Sequence, residues 1–417
     1  MSAGNRPFDR RRGGSRMRAV CVKVYVLLMM VMACVGPVAV GAEIGDEAAA
    51  DAWPMFRGVV AGTGRSAARL ALPLGERWHR QLEKTAFEAT PVVAGGRIFV
   101  GDLDGTFHCL ELSDGKTLWS FKTDVGFPSA AAVSTDAAVP LVVVGDAAGM
   151  IRAFDVASGE VRWTHEAGGE VSGGPTLLPG ADGPRVLVGS QDATLACLEL
   201  ADGKVVWKHT IADQIRCSPT VAAGKVLLAG CDGKLHVIDA ATGTEDVAVA
   251  IDGPTGTTPA AAGSRALFGS EGGVFWAIDV SEGKAAWKLA PQGNGQAFRS
   301  SAAVAGDLVL VGTRGRAVEA FSIADGSRAW RQGMRGRVDG SPVVVHRGGD
   351  GAGSEAELVG IVGDSAGKIV ALRTADGEVL WEFDAGNGFA SSPAVAAGRL
   401  VMASGDGTVW CFGAEGE

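Results

Sequence analysis

One motif recurs along this chain so regularly that it constrains the fold more than any other feature. Its fullest copy runs from Val142 to Trp163: an apolar strand, a glycine turn, a second apolar strand ending in Ala153-Phe154-Asp155, a turn closed by Gly159, and a strand carrying Trp163. The same order is found from Gly101 to Trp119, Gly189 to Trp207, Gly269 to Trp287, Gly312 to Trp330 and Gly363 to Trp381. A weaker copy, Gly230 to Val247, has valine at the tryptophan position. A last copy begins at Gly405 and reaches only Phe412, and Leu74 to Trp78 supplies its missing end. The aromatic position falls at 78, 119, 163, 207, 247, 287, 330 and 381, mostly 40 to 44 residues apart. Several short strands per repeat of about 40 residues are the mark of a β-propeller. We therefore expect an all-β, eight-bladed β-propeller whose last blade is closed by pairing the N- and C-terminal strands. Such closure removes the strand edges that an open array would expose.

The repeat explains the composition. Among 417 residues the 62 glycines suit a chain full of tight turns, and 47% hydrophobic residues suit a folded globular domain. Turns such as Ser113-Asp114-Gly115-Lys116 and Ala201-Asp202-Gly203-Lys204 place glycine where positive φ is needed and aspartate where it can bond its own backbone. These acidic residues are expected to be turn formers before anything else. The third strand is apolar at two positions on opposite faces, as with Phe107 and Leu110 or Phe275 and Ile278, so each sheet must be covered on both sides. Segments such as Cys217-Ser218-Pro219-Thr220, Gly340-Ser341-Pro342 and Ser391-Ser392-Pro393 open the first strands and should line the central channel. Their small side chains suit eight converging strands, and a small-ligand site at that rim is the alternative.

Residues 1–42 read as a signal peptide. Arg10, Arg11, Arg12, Arg16, Arg18 and Lys23 precede an apolar run from Val24 to Val35, and Val40-Gly41-Ala42 offers a small-residue cleavage site. Lipidation of Cys34 is a second way to leave the chain at a membrane. Residues 43–73 are assigned to a linker and an N-terminal strap, in which Trp53-Pro54-Met55-Phe56-Arg57-Gly58 is expected to bury its aromatics against the propeller of residues 74–417. Removal of the leader would take the net charge from -9 to -15. A chain so acidic is unsuited to gripping nucleic acid over a broad face.

Of the cysteines beyond the leader, Cys109, Cys197 and Cys411 share a repeat position otherwise held by alanine or valine, which marks them as core filler. Cys217 and Cys231 lie near the open end of one hairpin, where a disulfide and two unlinked thiols are both open readings. His79, His165 and His209 follow aromatic positions in different repeats and are not expected to converge on a metal; His108 and His236 share a position of varied chemistry. Arg299, Arg314, Arg316, Arg335 and Arg337 gather in the sixth and seventh repeats, with Arg328 and Arg331, and are the candidate partner-binding residues on an otherwise acidic surface. The insertion from His346 to Glu357 lengthens its repeat to 51 residues and is a further place for binding.

The pattern Ala-x-Asp-x-x-x-Gly-x-x-x-Trp, seen as Ala153, Asp155, Gly159 and Trp163 and again as Ala277, Asp279, Gly283 and Trp287, resembles the repeat of pyrroloquinoline quinone (PQQ)-like propellers. The resemblance extends from about Trp78 to Phe412. It implies that Trp78, Trp119, Trp163, Trp207, Trp287, Trp330 and Trp381 dock between adjacent blades, and that Val247 marks a looser one. The family has an enzyme branch, the quinoprotein dehydrogenases, and a non-catalytic BamB-like branch. Alcohol-oxidising members of the first carry adjacent cysteines and bind PQQ with calcium; this chain has no Cys-Cys pair, and Asn294 and Asn387 are the only asparagines beyond the leader. No catalytic, cofactor-binding or metal-binding residue is assigned. The resemblance implies a monomeric, exported protein-interaction scaffold, periplasmic or outer-membrane associated, with protein partners in the cell envelope and a role in outer-membrane protein assembly. The alternative it leaves is a propeller binding PQQ or another small molecule, with quinoprotein dehydrogenase-like activity.

Overall fold

Each repeat folds into a four-stranded antiparallel sheet, because its apolar runs are four to six residues long and are separated by turns that reverse the chain at once. The computed structural model describes residues 48–82, 85–180, 183–290, 297–348 and 357–416. The leader, its cleavage site and Cys34 lie outside the described residues, as do Asn294 and residues 349–356 of the insertion.

Blade one consists of Val92–Ala94, Arg97–Gly101, Thr106–Glu111 and Thr117–Lys122, hydrogen-bonded in that order from the inside outward. Blades two to six repeat this order. Blade seven, Val343–Gly348, Leu358–Gly363, Lys368–Arg373 and Val379–Asp384, gains Arg65–Ala71 as a fifth strand running parallel to its innermost one. Blade eight takes Ala394–Ala396, Arg399–Ala403 and Thr408–Ala414 from the C-terminal end and Leu74–Gln81 from the N-terminal end. The two ends pair antiparallel, Leu74 with Ala414, Trp78 with Cys411 and Gln81 with Thr408. The ring of eight blades is therefore closed by backbone hydrogen bonds, and the eight-bladed propeller expected from the repeat is the fold observed.

The apolar core is divided into layers between blades. Phe99, Phe107 and Cys109 of blade one pack against Val142, Val144 and Phe154 of blade two, and comparable layers separate the blades that follow. Cys109, Cys197 and Cys411 are buried in these layers as free thiols. Burial in apolar surroundings pushes each of them up to about 12, so they remain protonated and inert.

The aromatic position is aimed by a backbone irregularity. In blade one Cys109 faces Trp119 while the next residue, Leu110, faces Thr117, so one residue of the outer strand is left over. The same bulge precedes every aromatic position, including Val247. It turns the indole sideways into the neighbouring blade. There the Trp163 Nε1 donates to Leu200 O at 2.8 Å, Trp207 to Ala240 O at 3.2 Å and Trp330 to Thr374 O at 2.8 Å. Trp78, Trp119, Trp287 and Trp381 donate in the same way to Leu112, Val156, Ile323 and Leu74.

For six of these indoles the glycine of the acidic turn stands three residues beyond the accepting carbonyl and the indole lies on it; beyond Leu74, which takes Trp381, that place is held by Arg77. A Cβ added to Gly159, Gly203 or Gly243 would come within 2.5, 2.7 and 2.6 Å of the ring of Trp119, Trp163 and Trp207 respectively. These glycines also have φ of 75°, 72° and 74°, so backbone and contact both demand glycine. At Gly283, which faces Val247, the nearest side-chain atom is 3.3 Å from the added Cβ. Gly203→Ala should therefore cost about 2–5 kcal/mol, the left-handed backbone and the overpacked indole together, whereas Gly283→Ala should cost only about 1–2 kcal/mol for the backbone. Denaturant midpoints of the two variants check this; equal losses would contradict the stacked joint.

Candidate functional site

The centre of the ring is where propellers commonly hold a ligand, and here its walls are tied together. Backbone N–H groups at the start of the innermost strands donate to hydroxyls of the next blade: Ser218 to Thr258 Oγ1 at 3.0 Å, Thr258 to Ser301 Oγ at 2.9 Å, and Ser301 to Ser341 Oγ at 2.9 Å. Ser341 donates to Ser392 Oγ at 2.9 Å and Ser392 to Thr90 Oγ1 at 3.0 Å. This belt joins blades four to eight and blade one. In blades two and three the position is held by Ala130 and Gly174, and Phe56 occupies the space, its Cβ 3.3 Å from where a Gly174 side chain would begin.

Phe56 belongs to a segment that runs round the other side of the channel. Carbonyls of Trp53, Pro54, Val60, Ala61, Thr63 and Gly64 accept from Val93, Val133, Val221, Ala261, Val304 and Val344, one residue in each of six innermost strands, and Ala50 O accepts from Ala397 beside blade eight. Trp53 is fully buried, as its apolar character demands. Arg57 is buried as well, only 1% exposed, and donates to Ala302 O at 2.7 Å and Pro342 O at 2.8 Å. Burial pushes its guanidinium down to about 9, still cationic at neutral pH, and the two carbonyls stand in for a carboxylate. Gly64 must be glycine here, since a Cβ would lie 1.8 Å from Arg57 NH2. Above this floor a recess of about 160 Å³ remains, with Glu88, Arg216, Arg299 and Asp339 around its rim.

Three of the candidate arginines face acidic partners. Arg299 pairs with Glu271 at 3.3 Å, Arg314 with Asp339 at 3.2 Å, and Arg335 with Asp384. Arg316 sits in a tight turn with φ of 57°, and Arg337 exchanges backbone and side-chain hydrogen bonds with Ser365. At the base of the insertion Glu357 accepts from Arg347 at 2.6 Å and Arg373 at 2.5 Å. Asn387 donates to Asp406 at 2.6 Å. The disulfide left open between Cys217 and Cys231 is not formed. Cys217 Sγ turns inward to Ala229 O at 3.3 Å, while Cys231 Sγ leans to Thr255 O, in the connection to blade five, at 3.7 Å.

His209 and His236 belong to adjacent blades, and their ring centroids are 6.3 Å apart. The outer strand of blade three packs against the third strand of blade four, and Trp207 stacked on Gly243 carries His209 along with it. His209 Nδ1 donates to Gly243 O at 3.1 Å, which leaves Nε2 facing Glu245 Oε2 at 3.6 Å. His236 Nε2 faces the Asp232 carboxylate at 3.1 Å, and its Nδ1 lies 2.5 Å from the same Glu245 oxygen. That last contact requires a proton between nitrogen and oxygen. With a divalent cation in the proton's place, His209 Nε2, His236 Nδ1 and Glu245, all within 4.8 Å, would supply three ligands. Asp232 and the Gly243 carbonyl would fix the two rings from behind. The signal in the sequence was the order of blades: a residue two past one aromatic position faces the third strand of the next repeat. His79 instead contacts Glu76 and Trp410, His108 bonds Asp102 at 2.9 Å, and His165 is lowered by burial.

Fold and site define a PQQ-like β-propeller. The chain belongs to the family described as outer membrane protein assembly factor BamB, whose model matches residues 68–170, 147–245, 221–339 and 314–416. No curated protein matches it by sequence. Among solved structures it is similar to BamB from Moraxella catarrhalis, with 18% identity over 82% of this chain and 99% of that one and a TM-score of 0.64. It is also similar to quinohemoprotein alcohol dehydrogenase from Comamonas testosteroni, with 15% identity, 88% and 81% coverage and a TM-score of 0.69. The computationally designed Ika8 protein matches with 16% identity, 81% and 99% coverage and a TM-score of 0.65. At such identities these likenesses establish the fold.

The turn aspartates are structural in their bonding. Asp155 Oδ1 accepts from the N–H groups of Ala157 and Ser158 at 2.9 Å, and Asp279 and Asp239 bind their turns alike. The hydrogen bond from Arg162, then that from the Ser158 N–H, holds Asp155 down to about 2; the Ser281 and Ser264 hydroxyls do the same for Asp279. Asp114, Asp202, Asp325 and Asp376 are lowered as well. A carboxyl lowered on folding stabilises the fold above its unfolded value of about 4 and loses that contribution as pH falls through its folded value. The thermal midpoint should therefore fall between about pH 4 and pH 2, with Asp155→Asn and Asp279→Asn reducing the slope. A midpoint flat through that window would show that these turns do not stabilise the ring.

Proposed function

We propose that this chain is a non-catalytic protein-interaction scaffold of the bacterial cell envelope, acting in outer-membrane protein assembly. The observation that carries the reading is the filled channel. Its inner strands are joined by hydroxyl bridges, its floor is Phe56 and Arg57, and the recess left above them is about 160 Å³. Small-molecule sites are commonly about 300–1,000 Å³ and bury most of their ligand. A ring so filled has its flanks, loops and outer strand edges to offer, and these are features that bind polypeptides. The match to the family described as outer membrane protein assembly factor BamB supports the same reading. With it go export, a periplasmic or outer-membrane-associated location, protein partners and a monomeric state. The acidic charge disfavours nucleic acid.

Calorimetric titration of the purified chain with PQQ and calcium, followed by cross-linking in envelope extracts, tests the proposal. The expected result is no quinone binding and recovery of outer-membrane assembly proteins. Tight quinone binding with dye-linked alcohol oxidation would contradict it.

A further inference from the structure

At the junction of blades four and five the ring has an indole site without an indole. The outer strand of blade four, Glu245–Ala250, carries Val247 where the other seven blades carry tryptophan. Val247 pairs with Val237 beyond the usual bulge, so it stands at the aromatic position in register as well as in sequence. Facing it are the other two parts of the joint. Gly283, with φ of 62°, occupies the place of the glycines on which the other indoles lie. Val280 precedes it by three residues, as Leu112, Val156, Leu200, Ala240, Ile323 and Thr374 precede theirs. Those six carbonyls each accept an indole N–H. Valine has none to give to Val280 O.

The space is open. A groove of about 470 Å³ is lined by Leu227, Val237, Val247, Ala261, Val280 and Gly283. The charged residues at its rim are already engaged. Lys225 binds Asp239 at 3.0 Å and Asp246 at 2.7 Å, and Arg265 donates to Ile323 O and Ala324 O. What remains is an apolar slot with a glycine floor and one carbonyl acceptor.

We propose that this groove is the docking site for a tryptophan side chain of a partner polypeptide. Six junctions of the same molecule show the occupant that such walls accept: an indole on glycine with its N–H on the carbonyl. A polypeptide source follows from the strand beside it. Glu245–Ala250 is the last strand of its sheet, so its outer edge is unpaired and an extended partner segment can lie along it and turn one side chain into the groove. Buried aromatic anchors of this kind carry much of the affinity of protein interfaces. The inference rests on the partner-binding reading above and gives it a location.

The test uses the purified full chain, labelled at valine methyls, titrated with N-acetyl-L-tryptophanamide and, as a control, N-acetyl-L-leucinamide. The tryptophan probe should shift the methyl signals of Val247 and Val280 with a dissociation constant of about 1 mM or below, while the leucine probe leaves them in place. Val247→Trp should close the groove, weaken probe binding by at least about tenfold and raise the thermal midpoint as the cavity is filled. Unmoved Val247 and Val280 signals would overturn the proposal, as would equal binding by Val247→Trp. Tighter binding of free indole than of the amide would overturn the polypeptide source. Because the probe is read on the isolated chain, its failure is separable from a failure to capture envelope proteins.

Discussion

The joint between an indole and a left-handed glycine holds this molecule together. A propeller blade has no core of its own, since its sheet is apolar on both faces, so the stability of each blade is a property of its two junctions. Seven of the eight junctions have a rigid apolar plate that reaches from the outer strand of one blade to the next, in six of them onto the glycine of its last turn. Tryptophan supplies the plate, the bulge before it supplies the aim, and the glycine supplies a floor without a Cβ. The N–H bond to a carbonyl three residues earlier sets the angle. The glycine of one repeat takes the tryptophan of the repeat before it, and the acidic residue shapes the turn that holds the glycine, so the recurring spacing links one junction to the next.

Closing a ring of such joints leaves two problems, the seam and the hole. The seam is solved by composing blade eight from both ends of the chain, with seven residues of Leu74–Gln81 paired to Thr408–Ala414. The hole is filled from two sides. Hydroxyls at the start of the inner strands bind the backbone of the neighbouring blade, and the segment from Ala50 to Gly64 binds six inner strands and Ala397 beside blade eight. Arg57, buried in this segment, binds two carbonyls at the start of the inner strands of blades six and seven. A channel occupied in this way directs function to the perimeter, where the blade-four junction is the one that lacks its plate.

Much of this was legible in the sequence because a repeat reports on itself. The blade count, the order of strands and turns within a repeat such as Val142 to Trp163, the split of the last blade and the exception at Val247 could all be read by comparing copies. Features that depend on contacts between copies were harder to see. His209 and His236 lie at different positions of the repeat, and adjacent blades bring those positions face to face. Cys217 and Cys231 are near each other in one hairpin, but their Sγ atoms lean to different carbonyls, Ala229 O and Thr255 O. Among the arginines of the sixth and seventh repeats, Arg299, Arg314 and Arg335 each find an acidic partner, Glu271, Asp339 and Asp384, that their spacing in sequence does not announce. Arg57 gave the least warning, since a lone arginine between Phe56 and Gly58 carries no pattern that marks it for burial.

If indole joints hold the blades, the junction without one is the weakest. Native-state hydrogen exchange across the whole chain measures the opening of each junction directly. The account predicts that amides of Glu245–Ala250 and of the facing turn at Val280 to Gly283 exchange through the least costly opening among the eight junctions. Protection at that junction equal to or higher than at the tryptophan-bearing ones would contradict it.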